Sequence, residues 1–176
     1  MQSFKMRRLT LKDVPALSFI AKQTFYDTFT GTCTEADMQY FLNTFYNETV
    51  LAEEVNKSDY QYYFAEVADE VVGYILFAPT TTNFEILQKG NTVELKRLYV
   101  AATHHGTGVA QKMMQFLIDA ANTHGYKHII LGVWEHNIRA QKFYLKFGFQ
   151  RTPYTHDFPI GNTPQTDLYM LLTLQP

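Results

Sequence analysis

With 176 residues and 46% hydrophobic side chains, the chain is long enough to close a core of its own. Its 15 basic and 17 acidic side chains give a net charge of -2 with no long block of one sign, which excludes an electrostatic grip on nucleic acid. Cys33 stands alone, so an internal disulfide is excluded, and no stretch approaches the roughly 18 apolar residues of a membrane span.

Met1 to Leu9 has no apolar leader core, and Ser3 to Leu9 alternates loosely, predicting a first strand in a cytoplasmic protein. Thr10-Leu-Lys-Asp13 reads as a capping box opening a helix with Val14, Leu17, Ile20, Ala21, Thr24, Phe25 and Phe29 on one face. Thr34-Glu-Ala-Asp37 repeats the signal ahead of Met38, Phe41, Leu42 and Phe45, and a short third helix covers Thr49 to Asn56. From Tyr60 the period becomes strand-like: Tyr62 to Ala68 and Val71 to Phe77 form a hairpin ended by Pro79. Thr80 to Asn91 is a polar loop long enough to act as a lid. A strand, Thr92 to Val100, then leads to a helix from Gly108 to Asn122, stopped by Gly125. Lys127 to Trp134 is a strand, and Ile138 to Phe147 a helix stopped by Gly148. An irregular stretch with Pro153, Pro159, Gly161 and Pro164 precedes a last strand, Asp167 to Leu174. With no repeat and no linker, we expect one mixed α/β domain over residues 1–176, monomeric or homodimeric. The 14 Phe and 12 Tyr serve either an aromatic core or a ring-lined pocket, and composition does not choose.

The informative segment is Glu94-Leu-Lys-Arg-Leu-Tyr-Val100, then Ala-Ala-Thr-His-His105 and Gly106-Thr-Gly108-Val-Ala110, running into an amphipathic helix. Glycines at a helix start let the backbone bend and leave N–H groups unpaired, and the positive end of the helix dipole joins them in an anion site suited to a pyrophosphate. A Walker loop is excluded, because Val109-Ala110 stands where Lys-Ser or Lys-Thr is needed. A dinucleotide turn lacks its third glycine at Gln111, and five residues, Ala101 to His105, separate the strand from Gly106. Six histidines include only the adjacent pair His104-His105 and no metal-ligand spacing, so no metal is expected.

Residues 92–148 resemble the GNAT family of N-acetyltransferases, whose loop reads Arg or Gln, two residues, Gly, one residue, Gly or Ala. His105, Gly108 and Ala110 hold those places here, with His105 a departure in the first. Trp134-Glu-His-Asn137, Ala140, Phe143-Tyr144 and Gly148-Phe149 resemble the second family signature. The resemblance implies a mostly antiparallel mixed sheet of about seven strands flanked by helices, with a splayed strand pair that holds acetyl-CoA. It implies cofactor contacts from Leu98, Tyr99 and Val100, the loop residues His105, Gly106, Thr107, Gly108, Val109 and Ala110, and also Asn137, Tyr144 and Lys146. Tyr144 would face the CoA sulfur, and Glu94 holds the place where some members keep a general base. Read from the residues alone, Tyr144 is equally a core-stripe aromatic and Glu94 a solvent-facing strand residue.

An alkyl ammonium titrating near about 10 must lose a proton before its nitrogen attacks a thioester, which calls for a carboxylate. A thiol near about 8.5 against a phenol near about 10 makes proton transfer from Tyr144 uphill by about 2 kcal/mol, so hydrogen bonding to the thiolate is its expected role. Thr24-Phe-Tyr-Asp-Thr-Phe29 and Gln165-Thr-Asp-Leu-Tyr-Met170 are similar to segments of bacterial spermidine and spermine acetyltransferases, which extends the resemblance over nearly the whole chain. That implies a small-molecule amine as partner, with Phe25, Tyr26, Asp27, Glu85 and Trp134 as candidate contacts, and Asp157 as a further acid. The alternatives are a non-catalytic CoA-binding regulatory module, or an enzyme acting on a protein N-terminus or another small amine.

Overall fold

The computed structural model describes residues 3–85, 87 and 91–175. Residues 86 and 88–90 of the expected lid, and the first two residues, lie outside that range. The chain runs β1 (Phe4–Arg8), α1 (Val14–Phe29), α2 (Glu35–Phe45), α3 (Glu48–Val55), β2 (Gln61–Val67), β3 (Glu70–Pro79) and β4 (Thr92–Val100). It continues through α4 (Val109–Thr123), β5 (His128–Trp134), α5 (Ile138–Lys146), β6 (Gln150–Asp157) and β7 (Thr166–Thr173). Seven strands form one sheet in the order β1-β2-β3-β4-β5-β7-β6, antiparallel except between β4 and β5. Among the described residues no helix is long and apolar enough to cross a membrane.

Each sheet face has its own core. Leu17, Phe25, Met38 and Leu51 bring α1, α2 and α3 onto Tyr62, Phe64, Tyr74 and Leu76. Met113, Leu117 and Tyr144 of α4 and α5 close over Leu95, Ile129, Leu131, Val133 and Met170 on the other face. The expected periodicities produced these faces because apolar side chains at helical and alternate-strand spacing must cover one another.

Three local expectations are corrected. The Thr10–Asp13 box caps a short 3-10 turn over Leu11–Asp13, and α1 starts at Val14 behind it. Phe45 is exposed at the end of α2, its ring against Phe41 at 4.6 Å, because it stands at the wall of an open cavity. The stretch read as irregular from Pro153 contains β6, the outermost strand. Its pairing with β7 jumps from Arg151–Met170 to Thr155–Leu168, so the residue without an N–H sits in a bulge on an edge strand, where proline is tolerated.

A part-buried ion pair ties β4 to the helices. Arg97 binds Glu54 of α3 with both guanidinium nitrogens, at 2.6 and 3.1 Å, also donates to the Tyr62 hydroxyl, and lies 5.0 Å from the Tyr46 ring centre. Removing one partner of a buried pair leaves the other charge uncompensated. Glu54→Ala is expected to destabilise the fold by about 3–5 kcal/mol, measured by urea unfolding at pH 7.

Candidate active site

β4 and β5 are paired over four positions only, from Thr92–His128 to Leu95–Leu131. At that point β4 bulges: Leu76 of β3 faces Arg97 and Phe77 faces Leu95, leaving Lys96 as the extra residue. Beyond the bulge β4 follows β3 as far as Val100–Gly73, while β5 follows β7 as far as Trp134–Asp167. The two strands part, and the edge of Leu98–Val100 that would face β5 has no strand partner. Gly73 permits the close approach of β3, because a Cβ there would stand 2.6 Å from the Tyr99 carbonyl oxygen. The opening is a cavity of about 680 Å³.

Ala102–His104 forms a 3-10 turn after β4, and the loop then reverses into α4 through Gly106 (φ +79°) and Gly108 (φ +89°). A Cβ at either glycine would meet nothing, so glycine is required there by the backbone conformation rather than by space. The His105 and Thr107 amides bond back to Ala102 and His104, whereas those of Gly106, Gly108, Val109, Ala110 and Gln111 have no acceptor among the described residues. Five free donors at the start of a fifteen-residue helix form an anion cradle.

Two elements cross the mouth of the opening. His105 Nε2 donates to the Val100 carbonyl at 2.9 Å, which leaves Nδ1 to accept from Arg139 of α5 at 3.0 Å. Arg139 lines the cavity and is not among the residues that the sequence singled out. Asn137 caps α5, its side-chain oxygen accepting from the Ala140 amide at 3.1 Å, so its Nδ2 remains for a ligand. Tyr144 packs its ring on Phe143 and Phe149, while its hydroxyl has no hydrogen-bond partner among the described residues. Burial, and then the Asp167 carboxylate, push the phenol well above its ordinary value, so it stays protonated.

The structure brings Phe25, Leu98, Tyr99, Val100, His105, Gly106, Gly108, Ala110, Trp134, Asn137 and Tyr144 to the cavity wall. It does not bring Glu94 there, because that carboxylate is held by Lys96 at 3.1 Å and the Thr80 hydroxyl at 3.3 Å. Val109 contributes a free amide, but its side chain is core. Thr107 turns its hydroxyl to the His104 carbonyl, and Lys146 is exposed in the last turn of α5. Tyr26 donates to Glu35, Asp27 accepts from Gln23, and Glu85 is exposed on its loop, all off the cavity. The cavity is lined as well by Phe29, Phe41, His156, Asp157, Phe158 and Asp167. A strand-alternation signal existed for Asp167, which shares a face with Tyr169, opposite Leu168 and Met170.

Residues 22–149 match the Acetyltransferase (GNAT) family model. An N-acetyltransferase of Lactobacillus delbrueckii subsp. lactis is 31% identical, with 97% of each chain covered. The chain belongs to the GNAT acetyltransferase family. Spermine/spermidine N(1)-acetyltransferase of Bacillus subtilis is 30% identical over 46% of this chain and 53% of its own. The PaiA N-acetyltransferase of Thermoplasma acidophilum, in complex with coenzyme A, has the same fold: TM-score 0.77, 20% identity, 97% of this chain and 99% of that one.

As a GNAT enzyme the protein is an acyltransferase that takes its acetyl group from acetyl-CoA. Its residues fit that cosubstrate: free amides and Arg139 for phosphates, and an unpaired strand edge along which an amide-bearing arm can add as a strand does. Loss of one charge-assisted contact is expected to weaken binding, so Arg139→Ala should raise the CoA dissociation constant about tenfold by calorimetry.

Proposed function

We propose that this acetyltransferase acts on a primary amine of a polyamine such as spermidine or spermine, by direct attack within a ternary complex. The observation that carries this reading is the cavity wall, which Phe25, Phe29, Trp134 and Phe158 share with the carboxylates of Asp157 and Asp167. Phe25 stacks on Phe29 at 4.5 Å, Phe29 is tilted against Trp134 at 5.0 Å, and Phe158 meets Phe25 edge-on at 6.2 Å. Ring faces and carboxylates together favour an organic cation over a neutral or anionic acceptor. Trp134 is fixed by donating to Gln165 at 2.7 Å, and Phe158 by a loop whose Asn162 amide and Thr163 hydroxyl both donate to Asp37. The similarity to the Bacillus subtilis enzyme points to the same substrate class.

Acetyl-CoA supplies an activated acetyl thioester. The main-chain donors along Leu98–Val100 are positioned to bind the cosubstrate's arm and to stabilise charge on the acetyl oxygen. Asn137 Nδ2 would hold the arm from the opposite side, and the Tyr144 hydroxyl would donate to the departing sulfur. With its phenol raised further above a thiol than a free tyrosine, Tyr144 acts as a hydrogen-bond donor and keeps its proton.

Amine profiling with acetyl-CoA tests the substrate: spermidine and spermine are expected to exceed aminoglycosides and peptide N-termini in kcat/KM. Equal or better turnover of those competitors removes the polyamine. Tyr144→Phe is expected to lower kcat about 10²- to 10³-fold by steady-state kinetics. The wild-type kcat should show no alkaline loss attributable to Tyr144 below about pH 10, because a raised phenol has not begun to ionise there.

A further inference from the structure

We propose that Asp167, rather than Glu94, is the carboxylate that receives the proton of the acceptor ammonium; this rests on the amine-acetylation reading above. Asp167 lies opposite Trp134 on β5 and opposite His156 on β6, at the level where β4 has already left β5. Its side chain lies over Gly132, where a Cβ would stand 3.0 Å from Oδ2 and 3.4 Å from the Asp167 Cβ. The missing side chain on β5 is therefore what lets a carboxylate of β7 reach towards the gap between β4 and β5. Asp167 lines the cavity and makes no side-chain hydrogen bond or ion pair among the described residues.

The other acids near the site are committed or remote. Glu94 holds Lys96 and accepts from Thr80, Glu54 is locked to Arg97, and Asp157 is exposed at the rim. The titratable groups that face Asp167 are His156 of β6, Tyr144 of α5, Tyr99 of β4 and Tyr169 on its own strand. None is a fixed cation, so burial dominates and pushes the carboxyl up to about 6, with His156 opposing. A carboxyl raised in this way lies closer to an alkyl ammonium near about 10.4 than an ordinary one, as a proton acceptor requires.

The proton balance is complete without another reagent. One ammonium proton passes to a carboxylate oxygen of Asp167. As the nitrogen–carbon bond forms and the carbon–sulfur bond breaks, a second proton leaves the nitrogen and ends on the thiol. Asp167 then releases its proton to solvent, so the net products are the amide, CoA thiol and one proton.

The test compares the full-length wild type, Asp167→Asn and Glu94→Gln, using the best amine of the panel above between pH 5 and 9. Wild-type kcat/KM should fall on the acid side through an apparent pKa near about 6. Asp167→Asn is expected to lose that limb and about 10²- to 10⁴-fold in kcat/KM, with Glu94→Gln within threefold of wild type and CoA affinity unchanged in both. Thermal unfolding gives a readout independent of turnover. A carboxyl raised in the folded state costs stability once pH exceeds its unfolded value, so Asp167→Asn should melt higher than wild type at pH 7–8. That gain should shrink as pH falls through about 6 towards 4. An Asp167→Asn protein within threefold of wild type, or melting lower at pH 7–8, overturns the assignment, as does loss of the acid limb in Glu94→Gln. A wild type that binds acetyl-CoA but acetylates no amine overturns the functional reading itself, and the role of Asp167 with it.

Discussion

The parting of β4 from β5 after Leu95 is the constraint on which the site depends. Had the parallel ladder continued, the backbone groups of Leu98 and Val100 on that edge would be spent on β5 and no strand edge would remain for a ligand. The bulge at Lys96 prevents that by adding one residue to β4 against β3 and turning the strand's free edge away from its parallel neighbour. Gly73 completes the arrangement, since any side chain there would push on the Tyr99 carbonyl and on the strand that carries the free donors.

Holding two strands apart leaves backbone groups unsatisfied, and the surrounding contacts resist closure of the gap. On the β4 side, Arg97 is clamped to Glu54 and sits against the Tyr46 ring. On the β5 side, Trp134 is fixed through Gln165, whose own amide donates to the Thr32 carbonyl before α2. At the mouth, the Val100–His105–Arg139 chain joins the end of β4 to the start of α5.

The cavity is lined by charged side chains of both signs, which a net charge of -2 conceals. The cavity wall includes glycines of the loop before α4 and Arg139, and also Asp157 and Asp167 with the rings of Phe25, Phe29, Trp134 and Phe158. The two charges differ in kind. Arg97 is paired with Glu54, whereas Asp167 lines the cavity with no side-chain hydrogen bond or ion pair among the described residues, and desolvation pushes its carboxyl up to about 6.

The loop with free amides was legible in the sequence because its parts are contiguous: two glycines at a helix start determine the backbone. Element order was legible for the same local reason, apart from β6, where Pro153 signals a loop and only the edge position of the strand makes it tolerable. That Asp167 lines the cavity while Glu94 does not was not legible, since both are acids on half-buried strands. It depends on Lys96 bulging next to one and on Gly132 lying beneath the other, a relation between strands far apart in the chain. Arg139 likewise gains a role only when α5 is set beside the His105 loop. The sequence by itself thus determined the turns, helix starts and apolar faces, which are set by residues near one another. Tertiary structure decided which charges meet the cavity, because side-chain burial and partners are properties of the packed sheet rather than of any one segment.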